Sequence, residues 1–189
     1  MPAGYLSNPL VFLVDTLFGA YIFILILRLL LQYTAADSRN PISAFIIKVT
    51  QPPLTLLKPI FPTIKGVNLA AIVLIIMLRM LIGVVISFAQ GDFSIWAIFV
   101  WSVAELVDSV LSIFLFSIFA TVIISWINPN SYHPAVSLVY KITEPVMQPI
   151  QRVIPPIGGM DLTPMIALIG LQVLKMLLIP PILSLSSVF

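Results

Sequence analysis

Residues 141–164 read KITEPVMQPIQRVIPPIGGMDLTP, and residues 48–71 read KVTQPPLTLLKPIFPTIKGVNLAA. The first stretch packs five prolines, a glycine pair and two basic residues into a chain that is otherwise mostly apolar. The second is a fainter copy of it. Sliding the chain by 93 positions brings the two into register without a gap. Pro41 then falls on Pro134, Lys48 on Lys141, Thr50 on Thr143 and Pro52 on Pro145. Pro62 falls on Pro155, Ile64 on Ile157, Gly66 on Gly159 and Leu69 on Leu162. The match reaches beyond the two stretches, to Asp15 with Asp108 and Phe23 with Phe116, and most other positions pair apolar with apolar. The chain reads as a duplication, with a first repeat over 1–90 and a second over 91–189.

Composition says what surrounds these repeats. Of 189 residues, 60% are hydrophobic and 8% charged, against roughly 25% charged in soluble domains. The mean hydropathy is +1.16. So few charges cannot cover a water-exposed surface, and the pattern is that of a polytopic membrane protein. Four apolar stretches are long enough to cross a bilayer, at about 10–33, 68–90, 103–127 and 163–186. Each repeat is therefore a span, a long loop and a second span. Two spans per repeat is an even number, so both repeats enter the membrane in the same direction and are parallel repeats. Residues 93–102 (FSIWAIFVWS) precede the third span in this register and, with Trp96 and Trp101, suggest an interfacial lead-in. The N-terminal MPAGYLSNPL has no basic residue, and the first span is expected to be a retained anchor rather than a cleaved signal.

Lys and Arg set the expected orientation. The first long loop holds Arg39, Lys48, Lys58 and Lys65, and the second holds Lys141 and Arg152. The positive-inside rule places both loops in the cytoplasm and both termini outside. Ile42, Phe45, Ile46 and Val49, and likewise Ala135, Leu138, Val139 and Ile142, follow the spacing of one helix face. They predict two short amphipathic helices on the inner surface, within loops 40–66 and 133–162. Pro41 and Pro134 suit the first helical turn, with Asn40 a good cap and His133 a poorer one. Pro52 and Pro145 are expected to break these helices. A turn follows, and Asn68 and Thr163 are the expected caps of the second and fourth spans, with Pro164 at the first turn of the latter.

Several charges fall inside the spans, where they are costly and point to function by default. Counted from the cytoplasmic end at ~1.5 Å per residue, Asp15 and Asp108 lie about 27 Å up, Arg79 about 17 Å and Lys175 about 19 Å. Glu105 and Asp108 share a face, as do Gln172 and Lys175. An ionic network is expected among these six, pairing Asp15 with Arg79 in one repeat and Asp108 with Lys175 in the other. The preferred reading is structural pairing that locks the helices together; the competing one is a proton or ion pathway.

No constellation for catalysis stands out. There is no Cys and one His, which excludes a disulfide, a thiol nucleophile and a paired-histidine metal or haem site. His133 lies on the opposite side of the membrane from Asp108, so no Ser–His–Asp site forms. Gly158 and Gly159 lack the strand and lysine of a phosphate loop and read as turn residues. No enzyme activity, cofactor or metal is expected. A net charge of +2 gives no electrostatic argument for nucleic acid. The expected partners are the bilayer, a protein docking on the loops, and further copies of this chain if it transports.

The stretch at 141–164 resembles the signature segment of the YggT family of bacterial integral membrane proteins. The family's usual second-copy pattern is close to K-V-T-D-P-L-L-R-P-I-R-R-V-I-P-P-I-G-G-I-D-L-S-P. Lys141, Thr143, Pro145, Pro149, Arg152, Pro155, Pro156, Gly158, Gly159, Asp161 and Pro164 fit it. NPISAFIIKVTQPP at 40–53 resembles the first-copy segment. Gln148 and Gln151 stand where the family often has arginines, and the first copy reads NLAA in place of D-L-S-P. The resemblance implies an inner-membrane protein without catalytic residues. It links relatives to cell division and envelope organisation, organelle relatives to cytochrome assembly and nucleoid distribution, and others to osmotic tolerance and ion homeostasis. The function expected is a membrane scaffold or assembly factor presenting its cytoplasmic loops, with Lys48, Lys58, Lys141, Arg152, Pro155, Pro156, Gly158, Gly159 and Asp161 as the contact surface. The alternative is an oligomeric ion or osmolyte transporter using the charges in the spans.

Overall fold

A computed structural model describes residues 7–90, 93–127, 133–154 and 161–187. Four long apolar helices carry the chain back and forth: α1 (Ser7–Tyr33), α3 (Leu69–Gln90), α4 (Ile95–Ile127) and α6 (Thr163–Ser184). A 3₁₀ turn, Leu185–Ser187, follows α6. All four are long and apolar enough to cross a membrane. Their outer faces carry Phe12, Leu17, Phe23, Met77, Phe116, Ile169 and Leu177 in exposed positions, a surface suited to hydrocarbon rather than water. The core lies where α1, α3 and α4 converge, with Ile22, Leu25, Ile26, Ile75, Ile82 and Ile118 almost wholly enclosed. α6 packs against α4 and buries little of itself, chiefly Thr163, Ala167 and Leu171.

The helices follow the repeat. α1 packs on α3, α4 packs on α6, and α3 against α4 joins the two pairs. Among the described residues, α1 and α6 share no packed interface. At the end of the bundle that carries the long loops lie two further helices, α2 (Pro41–Leu57) against α1 and α5 (Pro134–Val153) against α4. Asn40 caps α2 by accepting from the Ile42 N–H at 2.9 Å, and its amide donates to the Pro134 carbonyl at 2.8 Å, which ties the two helices together. His133 caps α5 through Nδ1, which accepts from the Ala135 N–H at 3.2 Å.

Neither proline break occurs. α2 runs through Pro52 and Pro53, and α5 through Pro145 and Pro149. A proline in a helix strands the carbonyl four residues earlier. For Pro53 that is Val49, whose carbonyl accepts from the Tyr21 hydroxyl of α1 at 3.4 Å. Packing against the first span thus supplies the partner the helix has lost. The lead-in at 93–102 is also more than an interfacial approach. From Ile95 it forms the first turns of α4, with Ile98, Val100 and Ser102 buried and Trp96 Nε1 donating to the Leu185 carbonyl at 2.9 Å.

The first long loop ends in a small hairpin, β1 (Thr63–Ile64) antiparallel to β2 (Val67–Asn68). Lys65 and Gly66 at its tip both have positive φ, 50° and 83°, as a tight two-residue hairpin turn demands. Gln32 at the end of α1 holds the hairpin from below: its amide donates to Thr63 Oγ1 at 3.5 Å and its oxygen accepts from Asn68 Nδ2 at 3.0 Å. Asn68 is fully enclosed and caps α3 by accepting from the Ala71 N–H at 3.2 Å. In the register of 93, Lys65 and Gly66 correspond to Gly158 and Gly159. These two, with Pro155 and Pro156, lie outside the described residues.

Candidate functional site

The two acids of α4 gather with two serines on one helix face. Glu105, Asp108, Ser109 and Ser112 fall at i, i+3, i+4 and i+7 of α4 and so form a single stripe. Two bases approach it from opposite sides. From α3, Arg79 Nη1 stands 3.6 Å from Glu105, and its Nη2 donates to Ser109 Oγ at 3.2 Å. From α6, Lys175 Nζ lies 2.9 Å from Asp108 Oδ1 and donates to Ser112 Oγ at 2.9 Å. Ser112 donates in turn to Asp108 Oδ2 at 3.3 Å, closing a three-membered ring. Two cations thus meet two carboxylates and two hydroxyls. Bases in a low-dielectric region are tolerated when their charge is met; Lys175 is held at 2.9 Å by both its acid and its serine, whereas Arg79 keeps a buried Nε without a hydrogen-bond partner.

The Asp108–Lys175 pair is found where the sequence placed it. The Asp15–Arg79 pair is not. Asp15 is exposed on α1 and makes no ion pair or hydrogen bond among the described residues. Arg79 lies on the face of α3 that meets α4, and Glu105 is the acid opposite it. The duplication explains the difference. Lys175 corresponds to Ile82 in the first repeat, so Asp15 has no counterpart of the lysine that holds Asp108. Gln172, the counterpart of Arg79, is exposed and also lacks a partner among the described residues. Ser109 and Ser112, absent from the six residues expected from sequence, belong to the network. The signal was present, because they continue the Glu105–Asp108 face.

A cleft of about 650 Å³ opens between α1 and α4 beside this network. Gly19, Phe23 and Phe116 form its apolar walls, and Arg79, Ser109 and Ser112 its polar end. A larger groove, about 1110 Å³, lies at the loop end between α4, α5 and α6. Trp126, Tyr140, Lys141, Gln148, Gln151 and Asp161 are among its walls. Lys141 forms an ion pair with Glu144, and Gln148 donates to the same carboxylate at 2.7 Å. Lys48 and Arg152 are exposed and Lys58 is half-buried; none of the three makes an ion pair among the described residues. Asp161 rather than Thr163 caps α6: its Oδ1 accepts from the Thr163 N–H at 2.9 Å, and Gln151 donates to Oδ2 at 3.3 Å. It stands in the place of Asn68 in the first repeat. The nearby Thr163 hydroxyl first, against the opposing effect of partial burial and with the Thr163 N–H and Gln151 amide adding to it, holds the Asp161 carboxyl below its ordinary value, though the hydroxyl stands outside hydrogen-bond geometry. Among the described residues, no group of three or more His, Asp or Glu stands ready for a metal.

The CCB3/YggT family description matches residues 7–89 and 100–182. The chain belongs to this family. The two matched segments begin and end 93 positions apart, the offset at which the two halves align. A protein of Vibrio alginolyticus encoded in the proC 3′ region is 35% identical over 87% of this chain and 90% of its own length. An uncharacterized protein of Pseudomonas aeruginosa is 34% identical over 92% of this chain and 90% of its own. The YggT protein of Escherichia coli K12 is 27% identical over 89% and 88%. No solved structure matches.

Proposed function

We propose that this CCB3/YggT protein is a non-catalytic scaffold of the bacterial inner membrane, holding α2, α5 and the hairpin at the cytoplasmic surface for a partner to read. The orientation follows from Arg39, Lys48, Lys58, Lys65, Lys141 and Arg152, all in the long loops. The observation that carries the reading is the pairing on α4. Arg79 and Lys175 are each occupied by an acid and a serine, which suits helix locking better than charge movement. The functional surface is then the loop end. α5 turns Leu138 and Ile142 inward and Gln148, Gln151 and Arg152 outward, as an amphipathic surface helix does. The groove beside it is lined by exposed aromatic side chains, Phe119, Trp126 and Tyr140, together with polar ones, a mixture common at docking sites.

Transport is the second reading, favoured by the cleft between α1 and α4 with Arg79 at its end. Flux of K⁺, Na⁺ or H⁺ into liposomes holding the purified protein, measured over a range of potentials, separates the two. The scaffold gives no flux above empty liposomes, and Lys175→Met changes nothing. Flux that Lys175→Met abolishes overturns the scaffold reading.

A further inference from the structure

The joint between the repeats is used once inside the chain, yet each repeat carries both of its halves. On α3, Arg79 and Gly83 meet α4, and Ile72 and Ile76 extend the same stripe, the four being spaced i, i+4, i+7 and i+11, the spacing of a helix-packing seam. Arg79 meets Glu105 and Ser109 of α4. Gly83 meets α4 so closely that a Cβ there would stand 2.8 Å from Ile98 Cγ2. Carried forward by 93 positions, the seam becomes Met165, Ile169, Gln172 and Met176 of α6, all four exposed. The α4 half, Glu105 and Ser109, becomes Phe12 and Thr16 of α1, both exposed. Since α1 and α6 share no packed interface among the described residues, one open half stands on each of them.

Gln172 makes this more than two greasy faces. It lies nine residues into α6, about 14 Å from the start of the helix, exposed and without a partner among the described residues. A carboxamide turned to hydrocarbon is costly unless another helix hydrogen-bonds it. In the first repeat the corresponding Arg79 donates to Ser109, and the hydroxyl that corresponds to Ser109 belongs to Thr16.

We propose that α6 of one copy docks on α1 of a second copy, head to tail, with Met165, Ile169, Gln172 and Met176 against Phe12 and Thr16. The Gln172 amide meets the Thr16 hydroxyl of the second copy, and the contact follows the plan of the joint between repeats at a wider helix spacing, because Met176 stands where Gly83 lets α3 approach α4 closely. Such a contact joins unlike faces, so it closes into a ring or runs on; two copies in a ring set four repeats in succession. The proposal does not depend on the scaffold reading.

The absence of Cys makes the test clean. Thr16→Cys and Gln172→Cys chains with tags of different size are co-expressed, and their membranes are treated with a short bifunctional thiol reagent. The expected product is a mixed-size dimer, several-fold more abundant than either same-site dimer. The wild-type protein in nanodiscs is expected to show a light-scattering mass of two or more chains. Gln172→Leu should lower the oligomer's association constant by about threefold or more. Same-site dimers equal to the mixed product overturn the proposal. So does a Thr16→Cys/Gln172→Cys double variant that links only within one chain, or a wild-type mass of one chain.

Discussion

Lys175, Asp108 and Ser112 satisfy one another in a closed ring, so removing one member strands the rest. Lys175→Met leaves Asp108 facing apolar surroundings. Because both side chains are about a quarter to a third exposed, the loss should be about 1–2 kcal/mol, below the cost of breaking a fully buried pair. The readout is the thermal midpoint in detergent: Lys175→Asp and Asp108→Lys each lower it, and the double exchange recovers most of the loss. A double exchange no better than the single ones would mean that the pairing is not what holds the helices. Asp161 carries a pH dependence. Its carboxyl is lowered in the folded protein, so its stabilisation is complete above the ordinary carboxylate range and is lost as pH falls through the lowered folded value. Asp161→Asn should keep the cap, as Asn68 does in the first repeat, and flatten that part of the acid limb of a melting-versus-pH curve. The sequence revealed the Asp108–Lys175 pair because counting along helices fixes height. It misassigned Arg79 because height says nothing of which way a helix face points. Laying the register over the bases resolves it, since the first repeat has Ile82 where the second has Lys175.

Among the elements, α2 and α5 departed furthest from expectation. Prolines at Pro52 and Pro145 read as stops because a lone helix cannot spare those hydrogen bonds. Both helices nonetheless continue; at the adjacent Pro53 a neighbouring helix answers the stranded Val49 carbonyl, and no local pattern encodes that. The Tyr21–Val49 contact is the testable case. Tyr21→Phe should cost about 1 kcal/mol, the usual worth of such a bond. In a Pro53→Ala background the cost should vanish, because the restored Ala N–H can then reach the Val49 carbonyl. A double-mutant cycle on thermal midpoints reads the difference, and equal losses in both backgrounds would remove Tyr21 from this role. Caps fared better from sequence. Asn40, Asn68 and His133 act through side-chain atoms as their residue types and positions foretold. Thr163 lost its place to Asp161, two residues earlier, whose carboxylate reaches the same first turn.

At the scale of the whole molecule, four spans and two repeats were legible because length, hydropathy and a gapless register are strong signals over long distances. Which repeat faces meet was not, because duplication fixes the units and leaves their docking open. The proposed orientation has its own check in this cysteine-free chain. Single cysteines at Arg39 and Arg152 should react with a membrane-impermeant maleimide only in inside-out vesicles, and one at Ser187 only in right-side-out cells; the reverse pattern would invert the topology. The placing of both acids on α4 also has a consequence for biogenesis. Synthesis delivers Arg79 before any acid that can meet it exists, and a lone arginine at mid-bilayer costs about 2.5–3.5 kcal/mol to insert. Its partner follows 26 residues later in the same chain, on the next helix. Lys175, made last, finds Asp108 already in the membrane. α3 has the highest mean hydropathy of the four spans, and its Leu, Ile, Val and Phe residues, at about −0.3 to −0.6 kcal/mol each, outweigh the cost of Arg79. α3 can therefore enter alone and wait for Glu105, so a ribosome stalled between the two middle spans should leave α3 integrated with Arg79 still unpaired.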